Sequence, residues 1–402
     1  MKNKKLISMV AIAAMTASIF AGCGQEEDPG TAGGGFEGTP IVTIDETGNG
    51  ETTTPEPTTE PAFEVPADCY LSELTGLPIS KDIKNQRPIA VMVDNETTAL
   101  PHYGIAECDI VYELMNSTAN DRVTRLMCVR KDWQDLDQMG SIRSTRPTNI
   151  SLAGEYNAVL IHDGGPVYIN EFIAKPYCNH ISSGFYRADN GKSWEYSEYV
   201  TGDDRSGRSL SGGSQDYLGL ANRMAREGIG TEYNSYAPVR DSHFLFRDYG
   251  TDMTCTEMGY SNVQSATNIQ MPTFKHTKSQ LIYNEETSTY DYYLYGDLQK
   301  DAEDDQVVSF NNVILQCTDY YVYDEHGYLL YYYIDPSENK QGWYITNGEA
   351  IKVTWDKPCT NDKLDYEQTR FYDENGCEIM LNPGKTYIAL VPKDGWGTVT
   401  LN

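Results

Sequence analysis

Positive charge, closely spaced cysteine pairs and long apolar runs are what this 402-residue chain has least of. Lysine and arginine number 31 against 59 aspartates and glutamates, a formal charge of −28. Without the first 22 residues, which hold Lys2, Lys4 and Lys5, it becomes −28 − 3 = −31. So acidic a chain is repelled by nucleic acid and by acidic lipid, and neither is an expected ligand. No two cysteines have CxxC spacing and the six histidines are scattered, which argues against a structural zinc site. No metal or cofactor is expected. The GxSxG elbow of a serine hydrolase and the P-loop of a phosphate-transferring enzyme are both missing. Ser141 and Ser144 have only His102 or His162 to serve them, a weak basis for a triad.

The one long apolar run lies at the start. MKNKKLISMVAIAAMTASIFAGCGQ has a basic beginning, an apolar core from Leu6 to Ala21 and small residues before Cys23. This pattern predicts a lipoprotein signal over 1–22, with Cys23 receiving the lipid. Two or three acyl chains anchor durably, each buried methylene contributing about 0.8 kcal/mol. The expected location is the outer face of the cell membrane. Residues 23–67 are rich in Gly, Thr, Pro and Glu and predict a disordered tether. Its flexible reach is roughly 35–40 Å, enough to place the folded part of the chain in the wall layer.

The remaining residues predict two domains, in an α+β or α/β fold. From 68 to 239, short apolar runs such as RPIAVMVDN, CDIVYELM, VTRLMCVR and AVLIHDGG alternate with helix signals, Pro147 and Pro166 each opening a helix. An α/β domain with a mixed, partly parallel sheet is expected. From 240 to 402, alternating Tyr, Val and Ile with turn residues predict antiparallel β structure. Hairpins are placed at Asp324–Gly327, Asn347-Gly348 and Glu374–Gly376. After Cys23, eight cysteines remain, an even number that permits disulfides outside the cytoplasm. Cys359 and Cys377 flank one predicted hairpin and are the first choice for a bridge; buried free thiols are the alternative.

Polar residues recur where apolar runs stop: Asp94-Asn95, Glu113 and His162-Asp163. In parallel strands they would share the carboxyl edge of one sheet, the usual ligand crevice of open α/β folds. Between Arg122 and Arg146, Arg122, Arg125, Arg130, Lys131, Arg143 and Arg146 face Asp132, Asp135 and Asp137, a local excess of 6 − 3 = +3. Arg143 and Arg146, just before Pro147, form a fork at a helix start suited to a carboxylate or phosphate. The Gly164-Gly165-Pro166 turn offers further backbone donors. Either arginine alone serves equally as a tie from loop to sheet through Asp94 or Glu113. A glycosidase pair could come from Asp94, Glu113, Glu155 and Asp163, with nothing in the spacing to choose between them. Tyrosine is abundant toward the C-terminus, mostly as sheet packing. An exposed subset, Trp343, Tyr344, Trp355 and Trp396, could stack on sugar rings.

LTGLPIS at Leu74–Ser80, RPIAVMVDN at Arg87–Asn95, CDIVYE at Cys108–Glu113, Thr124-Arg125, GSIRSTRP at Gly140–Pro147 and EYNAVLIHDGG at Glu155–Gly165 resemble the YerB-like bacterial lipoproteins. Trp355–Lys357 and NPGKTYI at Asn382–Ile388 resemble that family's C-terminal domain. The resemblance runs from Leu74 to the end. It implies a two-domain lipoprotein of the outer leaflet, with no assigned chemistry. The positions matching the family pattern are Asp94, Asn95, Glu113, Arg125, Arg143, Arg146 and His162. Two segments depart from it: MNSTANDRV replaces a glycine-rich turn, and WEYSEYVTG stands where the family has a Pro-His-Asn-containing segment.

The leading expectation is a membrane-anchored binder of a peptidoglycan-related or other anionic glycan. Arg125, Arg143 and Arg146 would hold the anion, Asp94, Glu113 and His162 would orient it, and Asn95 would complete the ligand-binding set. One alternative is a peptidoglycan-cleaving enzyme using two of Asp94, Glu113 and Asp163. Another is a scaffold for envelope proteins.

Overall fold

Strands buried on both faces need apolar residues at consecutive positions, and the chain supplies several such runs. β1 (Ile89–Asp94), β2 (Ile110–Met115) and β3 (Thr124–Arg130) are buried at every position, as central strands covered on both sides must be. The computed structural model describes residues 63–237, 242–327, 329–332, 340–357 and 366–402. Cys23, the expected leader and most of the expected tether lie outside that range, as does Cys359, so the expected Cys359–Cys377 bridge does too. Seven cysteines within it, Cys377 among them, are free thiols.

Next in the chain come α1 (Pro147–Glu155), β4 (Val159–His162), β5 (Asn179–Ser182), β6 (Glu198–Val200) and α2 (Leu220–Glu227). The C-terminal part adds β7 (Gln280–Asn284), β8 (Thr289–Leu294), β9 (Asn312–Val322), β10 (Gln341–Thr346), β11 (Glu349–Asp356) and β12 (Thr386–Pro392). Pro147 opens α1 as expected. Pro166 instead precedes a single 3-10 turn, Val167–Ile169. Helices are few and short, so the fold is mainly β with a mixed sheet, and the expected α/β character is limited to this one region.

A twelve-stranded sheet runs through both halves, ten strands in the order Gln264–Ser265, β11, β10, β9, β12, β2, β3, β1, β4, β5, with Leu329–Tyr332 added beside β9 and Arg370–Tyr372 beside β11. β1, β4 and β5 are mutually parallel, while β3 runs antiparallel between β1 and β2. The segments 68–239 and 240–402 meet inside this sheet. β12 lies between β9 and β2, parallel to both, with Thr386 opposite Ile110 and Leu390 opposite Leu114.

A second, six-stranded sheet containing β7 and β8 covers one face. β8 alternates half-buried and buried residues, the pattern of a strand with one face toward the core. Tyr292 on β8 meets Tyr387 on β12 with ring centroids 5.6 Å apart. On the opposite face α1 packs against β2, where the Tyr112 and Tyr156 hydroxyls are 2.7 Å apart. All three expected hairpins form. At Asn347-Gly348 both residues have positive φ, 46° and 74°, the geometry a two-residue turn between β10 and β11 requires.

Candidate functional site

Because β1, β4 and β5 are parallel, Asp94, His162 and Ser182 end their strands at one sheet edge. The loop 140–146 is laced across that edge by its backbone. Asp94 N donates to Ser141 O at 2.9 Å, Arg143 N to Met92 O at 2.9 Å and Ile142 N to Glu198 O at 2.8 Å. The loop passes directly into α1, where Asn149 Oδ1 accepts from Arg146 N at 3.2 Å. Proline at the first helical position leaves no N–H there to satisfy.

Two charged groups share this edge. In the first, Asp94, wholly buried, lies between two arginines: Arg143 Nε is 3.0 Å from Oδ2 and Arg125 Nη2 3.8 Å from Oδ1. Arg125 also donates to Ser144 O at 3.0 Å. Arg143 remains partly exposed, pairs with Glu195 and has its guanidinium 5.4 Å from the Tyr196 ring centroid. Arg146 donates to Thr145 O at 2.8 Å. Of the two readings the sequence left open, the tie from loop to sheet is present for Arg125 and Arg143. They tie the loop to Asp94, and Arg143 reaches the surface.

The second group centres on Arg187, whose Nη2 is 2.7 Å from Glu198 Oε2 and 3.4 Å from Asp163 Oδ2, with Trp194 stacked beneath at 4.6 Å. Asp163 is 37% exposed at its side chain and Glu198 1%. Burial, reinforced by the hydrogen bond with Asp163, pushes the Glu198 carboxyl up to about 8. Beside them, His162 Nδ1 lies 2.8 Å from Gly164 O and its Nε2 3.0 Å from His180 Nδ1. A carbonyl only accepts, so His162 carries its proton on Nδ1 and its Nε2 accepts from His180. Burial lowers His162 to about 4, keeping it neutral at pH 7.

Several expected participants stand elsewhere. Glu113 is wholly buried between the two sheets and presents no surface to a ligand. One oxygen accepts from Thr124 and Ser279 at 2.6 Å each and from Asn95 at 3.3 Å; the other accepts from Tyr292 and Tyr387 at 2.6 Å each. Asn95, also wholly buried, belongs to that cage. Glu113 ends facing away from the edge because side chains alternate along β2, so a strand-end position does not fix the face.

The local positive excess is redistributed as well. Arg122 pairs with Asp394, Arg130 with Glu107 and Lys131 with Glu73, because β3 carries Arg125 and Arg130 to opposite ends. Glu155 pairs with Lys357 at 2.5 Å. Tyr344 and Trp355 are buried, which removes them from the expected exposed aromatic subset; Trp343 and Trp396 are half-buried. Ser141 is wholly buried. Among the described residues no cluster of three metal-binding side chains occurs.

Sequence reasoning missed Arg187, Trp194, Glu195 and Glu198. Three of the four lie in WEYSEYVTG, the segment that departs from the family pattern. That departure was the available signal.

Residues 74–211 match the family described as "Protein of unknown function (DUF3048) N-terminal domain", and residues 269–388 match its C-terminal domain. The chain is 23% identical over 332 residues to YerB of Bacillus subtilis (strain 168), whose name classes it as a lipoprotein. That alignment covers 79% of this chain and 85% of YerB. The crystal structure of YerB from Bacillus subtilis superposes with a TM-score of 0.62 at 18% identity, covering 83% of this chain and 99% of that one. The fold is therefore shared, and the chain belongs to the DUF3048 family, the family of the YerB-like lipoproteins.

Proposed function

We propose that this chain is a lipoprotein held by Cys23 on the outer face of the cell membrane, and that it binds an anionic wall glycan at the carboxyl edge of β1 and β4. One observation carries the reading. Four arginines, Arg125, Arg143, Arg146 and Arg187, gather at this edge of a strongly acidic chain. Asp94, Asp163 and Glu195 are in ion-pair contact with this group, and Glu198 lies against Arg187 at 2.7 Å. At neutral pH the Glu198 proton removes one of those negative charges. Arg143, the partly exposed member, presents the positive charge of the group to solvent. A charged hydrogen bond to a glycan carboxylate or phosphate contributes about 1.5–3 kcal/mol.

A second reading, cleavage of the bound glycan, is favoured by the Asp163–Glu198 pair. A carboxylic acid that stays protonated at pH 7 beside a partly exposed carboxylate is the pairing general acid and base chemistry needs. Asp163 touches solvent; Glu198 would act through it.

The test is to incubate the full chain with purified cell-wall sacculi, measuring protein in the pellet and muropeptides in the supernatant. The binding reading expects co-sedimentation that falls roughly tenfold in Arg143→Ala. Release of muropeptides that Asp163→Asn abolishes without loss of binding would establish the enzyme. Co-sedimentation indifferent to Arg143→Ala would overturn the crevice, and no interaction at all would leave the envelope-protein scaffold.

A further inference from the structure

Away from this edge, we infer that the groove over Trp343 is a second binding site, one that takes the ring of a neutral sugar. The inference does not rest on the arginine-lined edge. A cavity of about 400 Å³ opens on the C-terminal part of the main sheet, walled by Trp343, Tyr260, Asn262, Lys352, Asp373 and Glu374. Its size falls within the range of about 300–1,000 Å³ typical of small-molecule sites.

Strand alternation explains why a tryptophan faces outward here. On β10, Tyr344 turns into the core and donates its hydroxyl to Asn312 Oδ1 at 3.0 Å. Its neighbour Trp343 must take the other face. There it pairs across the strands with Lys352, whose Nζ is 5.7 Å from the ring centroid. The ring is half-buried, so it is held in place yet keeps surface toward the cavity.

The rim is polar and preorganised. Asn262 Nδ2 donates to Glu374 Oε2 at 2.6 Å, and Asp373 Oδ1 accepts from the backbone N–H groups of Asn375 and Cys377, each at 2.9 Å. These contacts fix the turn that forms one wall.

The chemistry selects the ligand. Lys352 against Asp373 and Glu374 gives 1 − 2 = −1, which disfavours phosphate and carboxylate. A wholly apolar ligand would strip water from the carboxylates and the amide without replacing their hydrogen bonds, an unfavourable exchange. A neutral pyranose fits both demands. Its C–H face lies on the indole, and its hydroxyls donate to the carboxylates and accept from the Asn262 amide.

The experiment is a titration of the full chain with chitotriose, the neutral trimer of N-acetylglucosamine, followed by calorimetry and tryptophan fluorescence. Saturable binding is expected, weakened roughly tenfold or more in Trp343→Ala. Trp343→Phe, which keeps an aromatic face, should retain most of the affinity, and Arg143→Ala should leave it unchanged. Should Trp343→Ala lose its native circular dichroism, Glu374→Ala on the exposed rim is read instead, with weaker binding expected. Absence of saturable binding by the unaltered protein, or equal binding by the Trp343 variants and Glu374→Ala, overturns the site. So does tighter binding of a tryptophan-containing peptide than of the sugar.

Discussion

Glu113 and Glu198 are both buried carboxyl groups, and their surroundings give them different consequences. Glu113 is met by six donors, from Asn95, Thr124, Thr277, Ser279, Tyr292 and Tyr387, none a cation. Replacing it with leucine removes the acceptor for the hydroxyls of Thr124, Ser279, Tyr292 and Tyr387 together. Stranded buried hydroxyls are costly, so Glu113→Leu should destabilise by about 2–4 kcal/mol in urea titrations. Glu113→Gln should cost far less, because the tyrosine hydroxyls can rotate to accept from the amide. Glu198 behaves differently because its proton is retained on folding. Its ordinary value of 4.5 rises to about 8, so the folded protein binds more protons than the unfolded chain between those values. Stability from this group is therefore full below about 4.5 and lost as pH rises through about 8. His162 and His102, both lowered to about 4, act with the opposite sign, losing stability as pH falls below about 6.5. Comparing wild type with Glu198→Gln by thermal melts from pH 6.5 to 8.5 isolates the carboxyl: the wild type should lose stability relative to the variant across that window. Asp94 and His162 were legible as strand-end residues because apolar runs mark where strands stop. Glu198 was not, because its role depends on the strand pairing that sets it opposite Arg187 and on Asp163 at the end of β4, neither marked by any local pattern around Glu198.

Loop 140–146 is the element that assembles the edge, and Gly140 is its tightest point. A Cβ at Gly140 would stand 2.6 Å from the Glu198 carbonyl oxygen, on a residue with φ of +154°. Gly140→Ala must push β6 away or displace the loop, breaking the Ile142–Glu198 backbone bond. It should lower the melting temperature by several degrees and weaken glycan co-sedimentation even though no ligand-facing side chain is altered. Asn149→Ala at the start of α1 is the milder control, costing about 1 kcal/mol as a lost helix cap. The helix start, the strands and the three hairpins followed from proline placement, apolar runs and turn residues. What sequence could not supply was the side of each strand that faces solvent, which is why Tyr344 and Trp355 stood as candidates for an exposed subset and lie within.

The family's two regions share one hydrogen-bonded sheet, through β2 and β12, and bury Glu113 jointly: Thr124 comes from one region, Ser279, Tyr292 and Tyr387 from the other. Neither half can lose its structure without exposing the other's central strand. Chemical unfolding followed by far-ultraviolet circular dichroism and by tryptophan fluorescence should therefore give coincident curves. Separate transitions would mean that the halves unfold independently despite the common sheet. The change of character near residue 240 was plain in the sequence, because alternating tyrosines replace continuous apolar runs. The union of the halves was not, since parallel pairing of β12 with β2 leaves no local signature in either strand.

That pairing also sets an order of events. β12 occupies the middle of the sheet yet is made from residues 386–392, far along the chain from β2 at Ile110–Met115, so its slot between β9 and β2 stays open until that segment has been synthesised. Pairings between segments so distant are slow to form. A chain built this way cannot close its central sheet until residues 386–392 have been made, however early the strands on either side of the slot are in place.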